Sequence, residues 1–476
     1  PGNTSVLETV TVESLSVANT LAALNTALVN TTKLAVTGDK KLTITAALDA
    51  DIATIDASGS SGGLTLTNAP ASLAPTIIGS SGADAITVGT ANINISGGAG
   101  NDTVTAAGTW NGADIYDGGD GTDTLAITTS FEPLNTGPTS ANTIAAGLSN
   151  VEKLVMTGNN TALSFDKPMG ALSIIDISDT NVQTVNLNDG YTGATTIYLG
   201  KTTVQNKDAN EKIVNTAGVD LTIYANLNTI DGDTANKTTI TGGAGTDTLM
   251  LYNIGADEDT DNNTPNTSVA LLGDANNNNI TGVDKIVIID VGAGQNAEID
   301  TGDYALTNAA GAAIPLTIDG SQLDLGETLT TGRGGSSLAK MDVTGGAGDD
   351  SLTGGTLGDT LSGGAGNDTI IGSAGSNVLE GGAGNDAITL GTGAENISGG
   401  AGNDTFTLGG NLQLTDTLDG GDGTDTLVTG NINSHTIFGG VSNIEVIKVS
   451  GDGIDITAAA DLGGATTFDL SGDGQK

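Results

Sequence analysis

Residues 345–407 read GGAGDDSLT GGTLGDTLS GGAGNDTII GSAGSNVLE GGAGNDAIT LGTGAENIS GGAGNDTFT, seven nonapeptides with no gap between them. Every second unit keeps its turn closely (GGAGDD at 345, then GGAGND at 363, 381 and 399), while those between drift to GGTLGD, GSAGSN and LGTGAE. A flexible Gly-rich linker has no reason to alternate. The eighth position of every unit is apolar: Leu352, Leu361, Ile370, Leu379, Ile388, Ile397 and Phe406. One inward residue per short strand, followed by a six-residue Gly-rich turn, describes a solenoid with two nonapeptides per coil. Stacked coils form parallel ladders advancing about 4.8 Å each, so the seven units make about 17 Å of rod.

With two nonapeptides per coil, units 18 residues apart share an edge. Asp350, Asp368, Asp386 and Asp404 then form one column, and Asp359, Asn377 and Glu395 the other. The next kept unit starts at 420, so the insert before it adds three residues without changing edge. Asp and Gly are ordinary turn formers. Yet carboxylates about 4.8 Å apart repel by roughly 1 kcal/mol in water and about 3–4 kcal/mol at an effective dielectric of about 20. Turn formation alone favours Asn or Ser in such a column. A divalent cation between successive turns reverses the sign, and glycines let backbone carbonyls converge on it. Oxygen-only ligands in a flexible cage indicate Ca²⁺ over Mg²⁺, and a chain with one His and no Cys offers no structural zinc site. The alternation therefore predicts a calcium ladder on one edge.

The rest of the composition agrees. Fifty-six acidic against 14 basic residues give a formal charge of 14 − 56 = −42, which excludes nucleic acid and anionic membranes as natural partners. At 37% hydrophobic and 15% charged residues, the chain is not a highly charged disordered one. With 73 Gly and 3% aromatics, the core must be built from small, β-branched residues at regular spacing. There is no Cys for disulfides and no run of about 18 apolar residues, hence no transmembrane helix and no membrane insertion. The chain lacks an initiator Met and a signal peptide and ends in mid-pattern, which reads as part of a longer polypeptide.

A larger period overlies the nonapeptides. TTKLAVTG at 31, VEKLVMTG at 151, VDKIVIID at 283 and IEVIKVSG at 444 recur, spaced 120, 132 and 161 residues from Lys33 to Lys153, Lys285 and Val446. Each cassette opens with β-rich sequence such as LTITAALDADIATIDASG and closes on GGDGTDTL at 118, GGAGTDTL at 242 or GGDGTDTL at 420. Matching 12-residue inserts, AAGTWNGADIYD and LGGNLQLTDTLD, precede the first and last closers. Short alternating runs bounded by Gly, Asn and Asp are strand signals, and Leu15–Leu28 is the one helical candidate. Six segments follow: β-rich 1–78, a first calcium block 79–126, β-rich 127–241, a closer with β-rich sequence 242–344, the main calcium block 345–428, and a further β-rich start 429–476.

GGxGxDxUx in tandem, as in GGAGNDTII and GGAGNDTFT, resembles the signature of RTX proteins. The resemblance implies an all-β fold with little helix, a parallel β-solenoid or RTX β-roll with short interruptions, and several bound Ca²⁺ ions. It places Ca²⁺ ligands at the sixth-position aspartates, here Asp84, Asp102, Asp123, Asp247, Asp350, Asp359, Asp368, Asp386, Asp404 and Asp425. Asn377, Glu395 and Ile93 depart from that pattern. GGDGTDTL followed by GLSNVEKLVMTG or GVSNIEVIKVSG, between Thr/Ala-rich strands, resembles the RTX-type S-layer proteins of bacteria. That likeness implies a secreted, self-assembling surface-layer or filament subunit, exported by type I secretion, with any cell-surface glycan or lipopolysaccharide contact made through regions outside this chain.

Further acidic residues enter on spacing. Asp114, Asp117, Asp120 and Asp123 recur as Asp416, Asp419, Asp422 and Asp425, which predicts an extra Ca²⁺ at each of those closers. GADEDTDNNTPN at 255, with Asp257, Asp259 and Asp261, lacks the Gly and Glu of an EF-hand and reads as an acidic loop. Catalysis finds no foothold: His435 is the one histidine, excluding HExxH, and a carboxylate-only glycosidase would find few aromatic platforms among 1 Trp and 6 Tyr. Trp110 reads as packing. The expectation is a structural protein and no enzyme. Its rivals are a calcium-dependent adhesin or ice-binding module and the RTX part of a secreted enzyme.

Overall fold

The computed structural model describes residues 8–22, 31–45, 47–69, 74–89, 92–107, 110, 113–128, 147–157, 163–165, 171–177, 184–187, 191–192, 195–199, 212–226, 239–252, 279–290, 296–299, 315–331, 340–408, 415–429, 439–449 and 467–469. Those residues hold short strands and no α-helix. They form a parallel β-solenoid. Two compact units are present, residues 1–223 with 242–245, and residues 224–241 with 246–476.

In the first unit, one sheet stacks Thr9–Ser14, Lys33–Gly38, Thr54–Ser60, Thr76–Ile78, Asn94–Ala99, Ile115–Asp120 and Leu148–Ser149 in parallel. The intervening strands, from Asn19–Leu21 through Ala85–Val88 to Lys153–Met156, stack in the sheet opposite. The second unit repeats the plan. Lys340–Thr344, Thr360–Ala365, Val378–Ala383, Asn396–Ala401 and Thr417–Asp422 form one sheet. Ser351–Thr353, Thr369–Ile371, Ala387–Leu390, Thr405–Leu408 and Thr426–Thr429 form the other.

Period-2 alternation puts one or two apolar residues of each strand inside. Leu361, Leu379, Ile397 and Leu418 pair in register along one sheet, and Leu352, Ile370, Ile388, Phe406 and Leu427 along the other. All are at most 2% exposed. Each such burial stabilises by about 1.5–3 kcal/mol, so an apolar column runs up the axis of the coils. Trp110 is buried at 1% exposure and packs within the first block.

The helical expectation for Leu15–Leu28 is corrected where it can be read. Ser16 has φ +71°, which a right-handed helix cannot contain. Asn19–Leu21 is a strand paired with Leu42–Ile44. The Asn19 amide fixes the corner by donating to Ser14 Oγ at 2.9 Å and to the Val17 carbonyl at 2.8 Å. Ladder partners and a side-chain cap outweigh the local apolar spacing; residues 23–28 lie outside the described ones.

The cassette lysines also acquire a reason. Lys33 pairs with Asp56 at 2.7 Å, Lys153 with Asp176 at 2.9 Å and Lys285 with Asp319 at 3.0 Å. Each joins a coil to the next, and Asp56 and Asp319 are further held by Ser58 and Ser321 hydroxyls at 2.6 Å. The Lys33 hydrogen bond, with Ser58, holds Asp56 below its ordinary range; at Asp319 burial is the largest single influence and pushes up, but Ser321 and Lys285 together outweigh it and hold the carboxyl low. Half-exposed pairs of this kind contribute about 0.2–1 kcal/mol apiece.

Candidate metal centre

The sixth-position carboxylates form continuous columns. Asp350 N–H donates to Asp368 Oδ1 at 2.7 Å, and Asp368 to Asp386, Asp386 to Asp404 and Asp404 to Asp425 at 2.8 Å each. In the first block, Asp84 N–H donates to Asp102 and Asp102 N–H to Asp123, again at 2.8 Å. One carboxylate oxygen of each residue is thus committed to the coil before it.

The second oxygen divides these residues into two kinds. Asp84 Oδ2 accepts from Ser80 N–H at 2.6 Å, and Asp350 Oδ2 and Asp359 Oδ2 accept from Gly346 and Gly355 N–H at 2.7 Å. These turns are closed on themselves. By contrast, Oδ2 of Asp102, Asp123, Asp368, Asp386, Asp404 and Asp425 is buried with no hydrogen-bond partner. The backbone explains the division. In every turn with a bare Oδ2, the second and fourth glycines take positive φ, as at Gly382 (+114°) and Gly384 (+135°). Ser80, Gly346 and Gly355 do not. In the closed turns the second residue's N–H meets the carboxylate; in the open turns it does not.

At the first glycine of these turns, open or closed, the same two oxygens approach; only in the open turns does the carboxylate oxygen lack a donor. A Cβ on Gly381 would overlap both Asp386 Oδ2 and the Gly399 carbonyl oxygen of the next coil. The same pair meets at Gly363 (Asp368, Gly381), Gly399 (Asp404, Gly420) and Gly97 (Asp102, Gly118), and also at Gly79, Gly345 and Gly354 of the closed turns, where a backbone N–H already meets the carboxylate oxygen. Two oxygens from successive coils therefore face one gap. Among the described residues no three acidic side chains gather as a metal cluster, so carbonyls must complete any coordination shell. An all-oxygen donor set mixing carboxylate and carbonyl fits Ca²⁺.

Electrostatics point the same way. Burial first, then the charges of neighbours in the column, pushes Asp102 and Asp368 up to about 7. Burial likewise raises Asp123, Asp386, Asp404 and Asp425, against the backbone hydrogen bond each accepts. A buried carboxylate oxygen without a donor costs at least about 1–3 kcal/mol when ionised. A cation in the gap removes that cost at each open turn.

The opposite edge is built differently. Asp359 is saturated by Met341 and Gly355 N–H. Asn377 donates Nδ2 to the Gly372 carbonyl at 2.9 Å and to Glu395 Oε1 at 3.3 Å, so an amide occupies the place between carbonyl and carboxylate. Glu395 retains a bare Oε2. Asp416 belongs to this edge, accepting from Glu395 N–H at 3.0 Å, and within the first block Asp114 takes the equivalent place, accepting from Ile93 N–H at 3.1 Å.

The four-aspartate patterns at the closers are therefore distributed. Within each block, Asp114 or Asp416 enters one edge, and Asp123 or Asp425 the other. Asp117 and Asp419 accept from the Asn150 and Asn443 amides at 2.8 and 2.7 Å, while Asp120 and Asp422 lie exposed at the rim. Asp247 is buried and donates its N–H to Asp284 at 2.8 Å, but Gly243 and Gly245 lack positive φ and its turn is not open. The acidic loop at 255–266 and His435 lie outside the described residues.

Two features were not read from the sequence. Fifth-position Asn side chains form an exposed ladder: Asn385 N–H donates to Asn367 Oδ1 at 2.8 Å and Asn403 N–H to Asn385 Oδ1 at 2.7 Å. The repeated Asn of GGAGND was its signal. The columns also end on Glu152 and Glu445, which accept from Asp123 and Asp425 N–H.

The family model described as the RTX calcium-binding nonapeptide repeat matches residues 78–109, 94–125, 342–356, 353–388, 389–411 and 415–431. No curated protein matches the chain. The matched stretches contain all six open turns, so the two carboxylate columns are built on RTX calcium-binding nonapeptide repeats.

Proposed function

We propose that this chain is a structural subunit of an extracellular surface layer or surface filament, folding and assembling as it binds Ca²⁺, with no catalytic role. The observation that carries the reading is the row of buried, donorless carboxylate oxygens along one edge of each block. Asp102 and Asp123 supply it in the first block, and Asp368, Asp386, Asp404 and Asp425 in the second. In a low-calcium cytoplasm the columns repel and the chain stays unfolded and competent for export. Outside, millimolar Ca²⁺ occupies the open turns and couples binding to folding. Rim carboxylates such as Asp120, Asp419 and Asp422 are exposed and available to calcium bridges between copies.

Negative-stain microscopy with and without EGTA tests the assembly. Ordered sheets or fibres that dissolve on chelation are the expected result; monodisperse particles in both conditions would contradict it.

A second reading, a calcium-dependent adhesin or ice-binding module, is favoured by one observation. Thr330, Ser351, Thr369, Ala387, Thr405 and Thr426 stack in register on an outward face. Thr353, Ile371, Thr389 and Thr407 stack two residues along the same strands. Thermal hysteresis by the isolated monomer would favour this alternative.

A further inference from the structure

The nonapeptide matches stop at 125 and 431, yet each kept column runs one coil further. Asp123 N–H donates to Glu152 Oε2 at 2.7 Å and Asp425 N–H to Glu445 Oε2 at 2.8 Å. This is the bond that each earlier Asp makes to the next. The segments SNVE at 149–152 and SNIE at 442–445 replace a six-residue turn with a three-residue one. Register is kept on both sides: Asp117 pairs with Ser149 before the turn and Thr124 with Lys153 after it. Asp419 with Ser442 and Thr426 with Val446 do the same in the second block.

Asn150 and Asn443 make the short turn with φ of +50° and +52°, and their amides are tied to Asp117 and Asp419. The Asn150 carbonyl oxygen thereby sits over Gly118 as the Gly118 carbonyl sits over Gly97. Asn443 stands over Gly420 as Gly420 stands over Gly399. A Cβ on Gly118 would overlap both the Asn150 carbonyl and Asp123 Oδ2. Asp123 and Asp425 are 0% exposed, and Oδ2 of each has no donor. The gap between successive coils is thus reproduced once beyond the repeats, with a new carboxylate at its end.

We propose that Glu152 and Glu445 complete a terminal Ca²⁺ site in each block. The ligands are the bare Oδ2 of Asp123 or Asp425, the carbonyl of Asn150 or Asn443, and the glutamate carboxylate. The proposal rests on reading the bare row as calcium ligands. Asp284 makes the same bond to Asp247, but the turn it follows is not open, so the middle closer is not included.

Bound calcium per full-length chain, counted by elemental analysis after dialysis against micromolar Ca²⁺, tests it. Glu152→Gln keeps an oxygen to accept from Asp123 N–H but removes the charge; the variant loses one ion, and Glu152→Gln with Glu445→Gln loses one at each block. The Glu→Asp variants at the same positions retain the ions, as the carboxylate is preserved. An unchanged count in the Gln variants, with calcium bound by the unaltered chain, overturns the terminal sites and leaves the repeat sites standing. No calcium on the unaltered chain overturns both readings. Should the Gln variants not fold, an anomalous difference map of the unaltered chain in calcium decides: a peak within about 2.3–2.6 Å of Glu152 supports the site, and its absence overturns it.

Discussion

The two edges of the main block are built from the same nonapeptide and end as different chemistry. On the kept edge, Asp368, Asp386, Asp404 and Asp425 each present a buried oxygen without a donor, in turns opened by positive-φ glycines. On the other, Asp359 is saturated by two backbone donors, and the Asn377 amide spans the gap to the Gly372 carbonyl. One edge exposes unmet acceptors to a space between coils; the other satisfies most of its own. An Asn amide supplies two donors where a cation would supply charge. The drift in sequence from GGAGND to GSAGSN is therefore a change of what holds the coils together.

Withdrawing calcium should have the largest effect. In chelator at pH 8 the kept columns are to lose most of their β signal by circular dichroism, with an expanded chain by scattering. Protons partly replace the ion. Asp102 and Asp368 ionise near 7 in the fold against 3.8 for an ordinary carboxyl, so the folded chain binds more protons between those values. Calcium-free stability is thus full below about pH 4 and falls as pH rises through about 7. A chelated chain that melts at the same temperature at pH 5 and pH 8 would break this account of the kept edge.

Asp386→Ala comes next. Its Oδ1 accepts from Asp368 N–H and its Oδ2 faces the gap, so the substitution opens the column in its middle. A loss of about 2–4 kcal/mol in saturating Ca²⁺, as for breaking a buried charge arrangement, is expected in denaturant titrations, together with weaker binding at neighbouring turns.

Asn377→Asp sharpens the contrast. Ser373 (φ +61°) and Gly375 (φ +96°) already give this turn the open backbone. Oδ1 keeps the Asp359 N–H, but the oxygen that replaces Nδ2 meets the Gly372 carbonyl and Glu395 without a donor, costing about 1–3 kcal/mol in chelator. Isothermal titration should then show one additional calcium ion, with stability recovered. No additional ion would mean that backbone shape does not define the site.

Glu395→Ala should have the smallest effect, under about 1 kcal/mol, although the residue is buried, because its Oε2 has no donor and its removal relieves that cost. Burial raises the Glu395 carboxyl, against its hydrogen bonds from Asn377 and Gly393, so removing the charge offsets the lost packing. A cost equal to that of Asp386→Ala would mean both edges are loaded.

Much of this was legible from spacing alone. The nine-residue period placed Leu352 through Phe406 inside, and the 18-residue recurrence put Asp350 through Asp404 in one column with Asp425 joining across an insert. The open and closed turns were not legible. GGAGDD at 345 and GGAGND at 363 are nearly identical, yet Gly346 lacks the positive φ that Gly364 has. Glycine permits both conformations, and the coil beneath selects one. Ala347 N–H bonds the Leu323 carbonyl of a non-repeat coil, whereas Ala365 N–H bonds Gly346. Glu152 and Glu445 escaped because they lie 29 and 20 residues from their partners, outside the fixed period. The helix read at Leu15–Leu28 failed where Ser16 and the Asn19 corner override local spacing.

Long-wavelength anomalous diffraction from crystals grown in millimolar calcium tests the one-sided ladder most directly. The expected map has peaks beside Oδ2 of Asp102, Asp368, Asp386 and Asp404, between each turn and the next coil, and none between Asp359, Asn377 and Glu395. Peaks of equal height along both edges, or a kept edge without peaks, would contradict it.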